Sequence, residues 1–144
     1  MKNKVMVQED YCSFEVAKLL KEKGFNEQCS STYDIAVSGG KPIFYKYDVL
    51  QFFPDGMKNS DDKYGMVISA PTHQMAMKWL REVHKVVISI DAHTANHWDG
   101  YIDRFEIDIL KNASRIIVPY EIAIYNTYEE AVEAALKYSL ENLI

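Results

Sequence analysis

Cysteine is scarce in this chain: Cys12 and Cys29 are the only two in 144 residues, and they show no close metal-type spacing. That argues against a disulfide framework and for two free thiols in a reducing compartment. Long apolar runs are missing too, and no stretch approaches the roughly 20 apolar residues needed to cross a bilayer. The start, Met1 to Asp10, turns charged before an apolar run of signal-peptide length develops. A cytoplasmic protein without a membrane partner is therefore expected. Basic excess is also absent. Sixteen Lys and Arg against 21 Asp and Glu leave a formal charge of −5, which speaks against general nucleic-acid binding through clustered cations. Acidic mimicry of nucleic acid would need carboxylates crowded on one face, whereas here acids and bases interleave. No internal repeat, low-complexity tract or linker interrupts the chain, so residues 1–144 are read as one domain of a size that buries one substantial core.

What is present is a set of helix signals. Ala70 to Lys85 reads as a helix feeding straight into the strand Val86 to Ile90. Pro71 biases Ala70 away from helical backbone, Thr72 is the N-cap, and Met75, Ala76, Trp79, Leu80 and Val83 form an apolar stripe. An earlier helix starts at the cap Ser13 and ends at Gly24, with Phe25 folding back on Leu20. Thr127-Tyr128-Glu129-Glu130 is a capping box opening the last helix. Its buried stripe is Tyr128, Ala131, Val132, Ala135, Leu136, Ser139 and Leu143, and Glu133 with Lys137 is expected as an i, i+4 pair on the wet side.

Between the helices the apolar period changes to two. Tyr33, Ile35 and Val37 share a face, Ser38-Gly39-Gly40-Lys41 turns the chain, and Ile43, Tyr45, Tyr47 and Val49 alternate on the return. Asp48 to Gly65 is irregular, with Leu50, Phe52 and Phe53 as anchors; connections of this length are functional or mobile. Asp91 to Gly100 is read as a polar loop. Tyr101, Asp103, Phe105, Ile107 and Ile109 alternate beyond it, Lys111 to Ser114 turns, and Pro119 breaks or edges the run from Arg115 to Tyr125. The class expected is α+β: two layers, an antiparallel-rich sheet of four to five strands with three helices packed on it.

The chemistry-bearing residues are few. His93 and His97 lie with Asp91 and Asp99 in a span short enough for the four side chains to converge on zinc or manganese. On a loop that spacing has no fixed geometry, so solvent-facing histidines are the preferred reading and no metal or cofactor is expected. The helical HExxH arrangement, the G-x-S-x-G elbow and a phosphate-binding Gly-rich loop are all absent. Cys12 with His73 or His84 would make a thiol nucleophile only if they met in space. Tyr33, Phe44, Tyr45 and Tyr47 on the hairpin could stack bases, but Lys41 and Lys46 make a weak basic groove. Protein contact suits these tyrosines better, and Trp98 beside His97 suggests a contact surface as well. Binding candidates are accordingly His93, His97, Trp98, Tyr45 and Tyr47.

Three segments together, 13–25 (Ser-Phe-Glu-Val-Ala-Lys-Leu-Leu-Lys-Glu-Lys-Gly-Phe), 68–84 (Ile-Ser-Ala-Pro-Thr-His-Gln-Met-Ala-Met-Lys-Trp-Leu-Arg-Glu-Val-His) and 127–143 (Thr-Tyr-Glu-Glu-Ala-Val-Glu-Ala-Ala-Leu-Lys-Tyr-Ser-Leu-Glu-Asn-Leu), resemble in order and spacing a family of small uncharacterised prophage-type proteins from anaerobic gut bacteria. The resemblance implies a phage or mobile-element origin, a cytoplasmic protein and a compact domain, but no reaction. The function expected is a non-enzymatic protein-binding module, self-association included. The alternative is a metal-dependent hydrolase centred on the 91–99 loop.

Overall fold

In the computed structural model, which describes residues 7–35, 39–46, 56–94 and 102–144, three helices and seven strands alternate in an α+β arrangement. Tyr47, Val49, Leu50, Phe52, Phe53, His97, Trp98, Asp99 and the hairpin residue Val37 lie outside the described residues. Helix α1 spans Phe14–Glu22, α2 His73–His84 and α3 Tyr128–Asn142. All three begin where a cap residue dictates: Ser13, Thr72 and Thr127 each accept a hydrogen bond from the backbone N–H three residues on. Helix α1 ends as its sequence requires. Gly24 sits at φ +89, Gly24 N–H donates to the Lys21 carbonyl and Phe25 N–H to that of Leu20. This is the paired closure that only a residue at ease in the left-handed region completes without strain.

The strands fall into two antiparallel sheets rather than one. In the first, β1 (Ser31–Asp34) lies between β2 (Ile43–Lys46) and β3 (Val67–Ser69), with Tyr33 opposite Phe44 and Ile68. In the second, β4 (Val86–Thr94) pairs with β5 (Ile102–Lys111), which also takes β6 (Ser114–Ile116) and β7 (Ile124–Tyr125). The β5–β6 connection has Asn112 and Ala113 both at positive φ, the twist-matched turn for a two-residue hairpin. Pro119 ends the extended run as expected, and a short turn over Tyr120–Ile122 separates β6 from β7.

Ile88 faces Ile109 and Ile90 faces Ile107 across β4 and β5. Helix α3 lies against these two strands, and its Ala131 and Ala135, fully buried, keep the helix close to the sheet. Leu80, Leu136 and Leu140 are also fully buried in this core, each burial worth about 1.5–3 kcal/mol. The stripe of α2 is rotated from the one the sequence suggested. His73, Ala76, Trp79 and Leu80 are buried, whereas Met75 is 36% and Val83 56% exposed. Phe25 and His84 each set an edge against the Trp79 ring, and these contacts turn the helix. Among the described residues no helix is long and apolar enough to cross a membrane.

Candidate functional site

The expected loop at Asp91 is corrected by the structure: β4 continues through Thr94, because Asp91, Ala92 and His93 pair with Glu106, Phe105 and Arg104 of β5. His93 is exposed there, and its Nε2 lies 2.8 Å from the Glu106 carboxylate, a partner that spacing along the chain did not suggest. Tyr45 stands on β2 opposite Thr32 and is 38% exposed. Its neighbour Phe44 faces the other way, into the Tyr11 and Tyr33 rings.

The described polar side chains converge elsewhere, at the adjoining N-termini of α1 and α2. Residues 10–12 run beside 71–73: Cys12 N–H donates to the Pro71 carbonyl and His73 N–H to that of Asp10, both at 2.9 Å. That pairing brings Ser13, the cap of α1, next to His73, the first residue of α2. Glu133, in the second turn of α3, reaches into the junction. Its Oε1 accepts from Ser13 N–H at 2.7 Å and lies 2.9 Å from His73 Nε2, while its Oε2 accepts from the Ser13 hydroxyl at 2.8 Å. The expected Glu133–Lys137 pair is therefore replaced. Lys137 reaches Glu15 instead, at 2.6 Å, because helix-capping N–H groups offer a partly buried carboxylate more than an exposed lysine does.

Burial pushes the Glu133 carboxyl up, but its bonds with His73 and with the Ser13 N–H and hydroxyl outweigh that and hold it below the usual carboxylate range. Cys12 lies behind this pair, fully buried. Its Sγ, a His73 ring nitrogen and a Glu133 oxygen lie within 4.8 Å of one another, a grouping of metal-ligand types among the described residues. Cys12 and His73 do meet, yet not as a nucleophile and its base. Burial first, then the charge of Glu133, raises the thiol well above its ordinary pKa, so the thiolate that attack would require is suppressed. Tyr33 closes the back of the site, its hydroxyl donating to the Cys12 carbonyl at 2.7 Å. Burial and the nearby Glu133 push that phenol up to about 12.

In front, an open cleft of about 700 Å³ is lined by Asp10, Tyr11, Ser13, His73, Tyr125, Glu129, Glu130 and Glu133. A smaller hollow sharing Asp10 and His73 adds Glu9 to the acidic rim. Burial, then the charge of Glu130, raises the Tyr125 phenol, so that carboxylate acts on the cleft wall. His73 carried one readable signal: with Ala76 and Leu80 it sits at the i, i+3, i+7 positions of the buried stripe. Glu133 carried none, since its partners lie 60 and 120 positions away. Comparison with protein-family models, curated proteins and solved structures returns no match to this chain.

Proposed function

We propose that this chain is a non-enzymatic binding module of phage or mobile-element origin, and that its acidic cleft receives lysine or arginine side chains from a protein partner. The observation that carries the reading is the cleft itself: among the described residues four carboxylates and two tyrosines line one open cavity, with no lysine or arginine in its lining. Carboxylates supply charge complementarity, and the tyrosine faces supply cation–π contact. Tyr11 already faces the chain's own Lys46, whose Nζ lies 5.2 Å from its ring centre, so a partner's cation competes with that contact there or uses Tyr125. Glu133 is fixed by its hydrogen bonds before any partner arrives, so little ordering entropy is lost on binding. The suppressed Cys12 thiol favours binding over nucleophilic chemistry here.

The test is fluorescence anisotropy of the full chain with a labelled Lys/Arg-rich peptide, beside neutral and acidic peptides of equal length. Saturable binding that weakens with salt is expected for the basic peptide alone. A Glu129→Gln, Glu130→Gln double variant should weaken it roughly tenfold, since each exposed charge contact contributes up to about 1 kcal/mol. Equal affinity for all three peptides, or indifference to the double variant, overturns the reading. Solution mass measured alongside separates capture of a foreign segment from self-association.

A further inference from the structure

We propose that Cys12, His73 and Glu133 bind a divalent transition-metal ion of the zinc type on the floor of the cleft. A thiolate, an imidazole nitrogen and a carboxylate are the donor set that such borderline-soft ions take. The three donor atoms lie within 4.8 Å of one another. A tetrahedral ion with bonds of about 2.0–2.3 Å places its donors roughly 3.3–3.7 Å apart, so side-chain adjustments of about an ångström complete the site.

Each ligand is already held by contacts that coordination would not break. The Ser13 hydroxyl grips Glu133 through Oε2, the Tyr33 hydroxyl binds the Cys12 carbonyl, and His73 N–H is anchored on Asp10. Outer contacts of this kind orient metal ligands and tune their affinity. Hydrogen bonding accounts for His73 and Glu133, while Cys12 is packed in the apolar core with its Sγ 4.0 Å from the Thr72 carbonyl, at the far limit for sulfur, so no strong bond has to break for the sulfur to ligate. On binding, the thiol loses its proton to solvent and the His73–Glu133 hydrogen bond yields to two bonds to the ion. Thiolate and carboxylate together balance a doubly charged ion, so the buried site carries no net charge, which burial requires. His73 and Glu133 line the cleft, which gives the ion a route from solvent and leaves a fourth position for water.

The full chain, stripped with a chelator, is titrated with cobalt(II) and then competed with zinc(II). One equivalent of cobalt should give tetrahedral visible absorption and a thiolate-to-cobalt charge-transfer band in the near ultraviolet, both erased by zinc. Cys12→Ser should remove the charge-transfer band. Ser13→Ala, which removes the hydroxyl bond to Glu133 Oε2 and keeps the backbone bond to Oε1, should weaken uptake about 10–100-fold. No stoichiometric uptake by the folded wild-type chain overturns the proposal, as does a cobalt complex lacking the thiolate band. Should Cys12→Ser fail to fold, the wild-type band and the Ser13→Ala affinity decide. Metal is titrated without peptide, and peptide is bound without metal, so the two proposals can fail separately.

Discussion

In the β4–β7 sheet the most buried strand side chains are Val86, Ile88, Ile107 and Ile109, each 8% exposed or less, and all four belong to the main apolar core. The β1–β3 sheet buries Ser31, Thr32 and Ser69 just as deeply. A polar lattice, together with the buried Ile68, holds it. Asn59 donates to the Phe25 carbonyl at 2.7 Å and accepts from Ser69 N–H at 2.9 Å, and Lys21 pairs with Asp62 at 2.8 Å. Apolar burial is indifferent to pH and direction, whereas buried hydrogen bonds depend on geometry and charge. The cleft lies between the halves: Tyr125 of β7 and the α3 carboxylates wall one side, residues 10–13 and His73 the other, and the Cys12 of its floor is packed in the apolar core. Directional bonding is what fixes side chains well enough to form a site.

The comparison is tested most severely through the apolar half. Leu80 is fully buried in the main apolar core, so Leu80→Ala should cost about 2.7–5 kcal/mol in chemical denaturation. A loss below about 1 kcal/mol would mean that this core is loosely packed and the contrast between halves is false. In the polar half the corresponding weak point is backbone. Gly56 has φ +84, and a Cβ there would sit 2.3 Å from the Cys29 carbonyl oxygen. Gly56→Ala must strain the Cys29–Met57 bridge, whose two backbone hydrogen bonds are both 2.9 Å. About 2–4 kcal/mol is expected from left-handed strain and overpacking together.

Acid should separate the halves. Burial raises the Asp62 carboxyl, but the Lys21 ammonium and the Met66 and Val67 N–H groups outweigh that and hold it below the usual range. A carboxylate with a depressed folded pKa contributes stability that is fully present above its unfolded pKa of about 3.9. That contribution is lost as pH falls through the lower folded value. Hydrogen exchange below about pH 4 should therefore open β1 and β3 before β4 and β5. Asp62→Asn should cost about 1.5–3 kcal/mol at neutral pH and remove much of this acid sensitivity. Uniform loss of protection across both sheets would show that the two are one cooperative unit.

Local grammar was legible in the amino-acid sequence and distant pairing was not. Ser13, Thr72 and Thr127 announce three helix starts because a cap acts within its own first turn, and Gly24 with Phe25 announces an end for the same reason. The alternation around Ile107 and Ile109 placed that strand correctly, since period two depends only on neighbouring residues. The division into two sheets, the continuation of β4 through His93 and the capture of Glu133 by Ser13 and His73 all depend on segments far apart in sequence. Glu133 illustrates why. Lys137 stands at the helical distance that makes a surface pair, and nothing nearby shows that a stronger set of donors arrives from α1 and α2.

The smallest expected effect sharpens the contrast from the other side. Val83 lies at the same helical spacing as Leu80 and Trp79, and a reading of the stripe alone would bury it and assign it a cost like that of Leu80. In the fold it is 56% exposed, because Trp79 turns toward Phe25 and His84 packs on the indole at 4.5 Å between ring centres. That rotation carries Val83 to the rim of a shallow groove shared with Met75 and Glu82. Val83→Ala should change stability by less than about 0.5 kcal/mol, even with its gain in helix propensity included. A cost near that of Leu80→Ala would place Val83 inside the core, and would mean that Trp79 does not set the roll of α2.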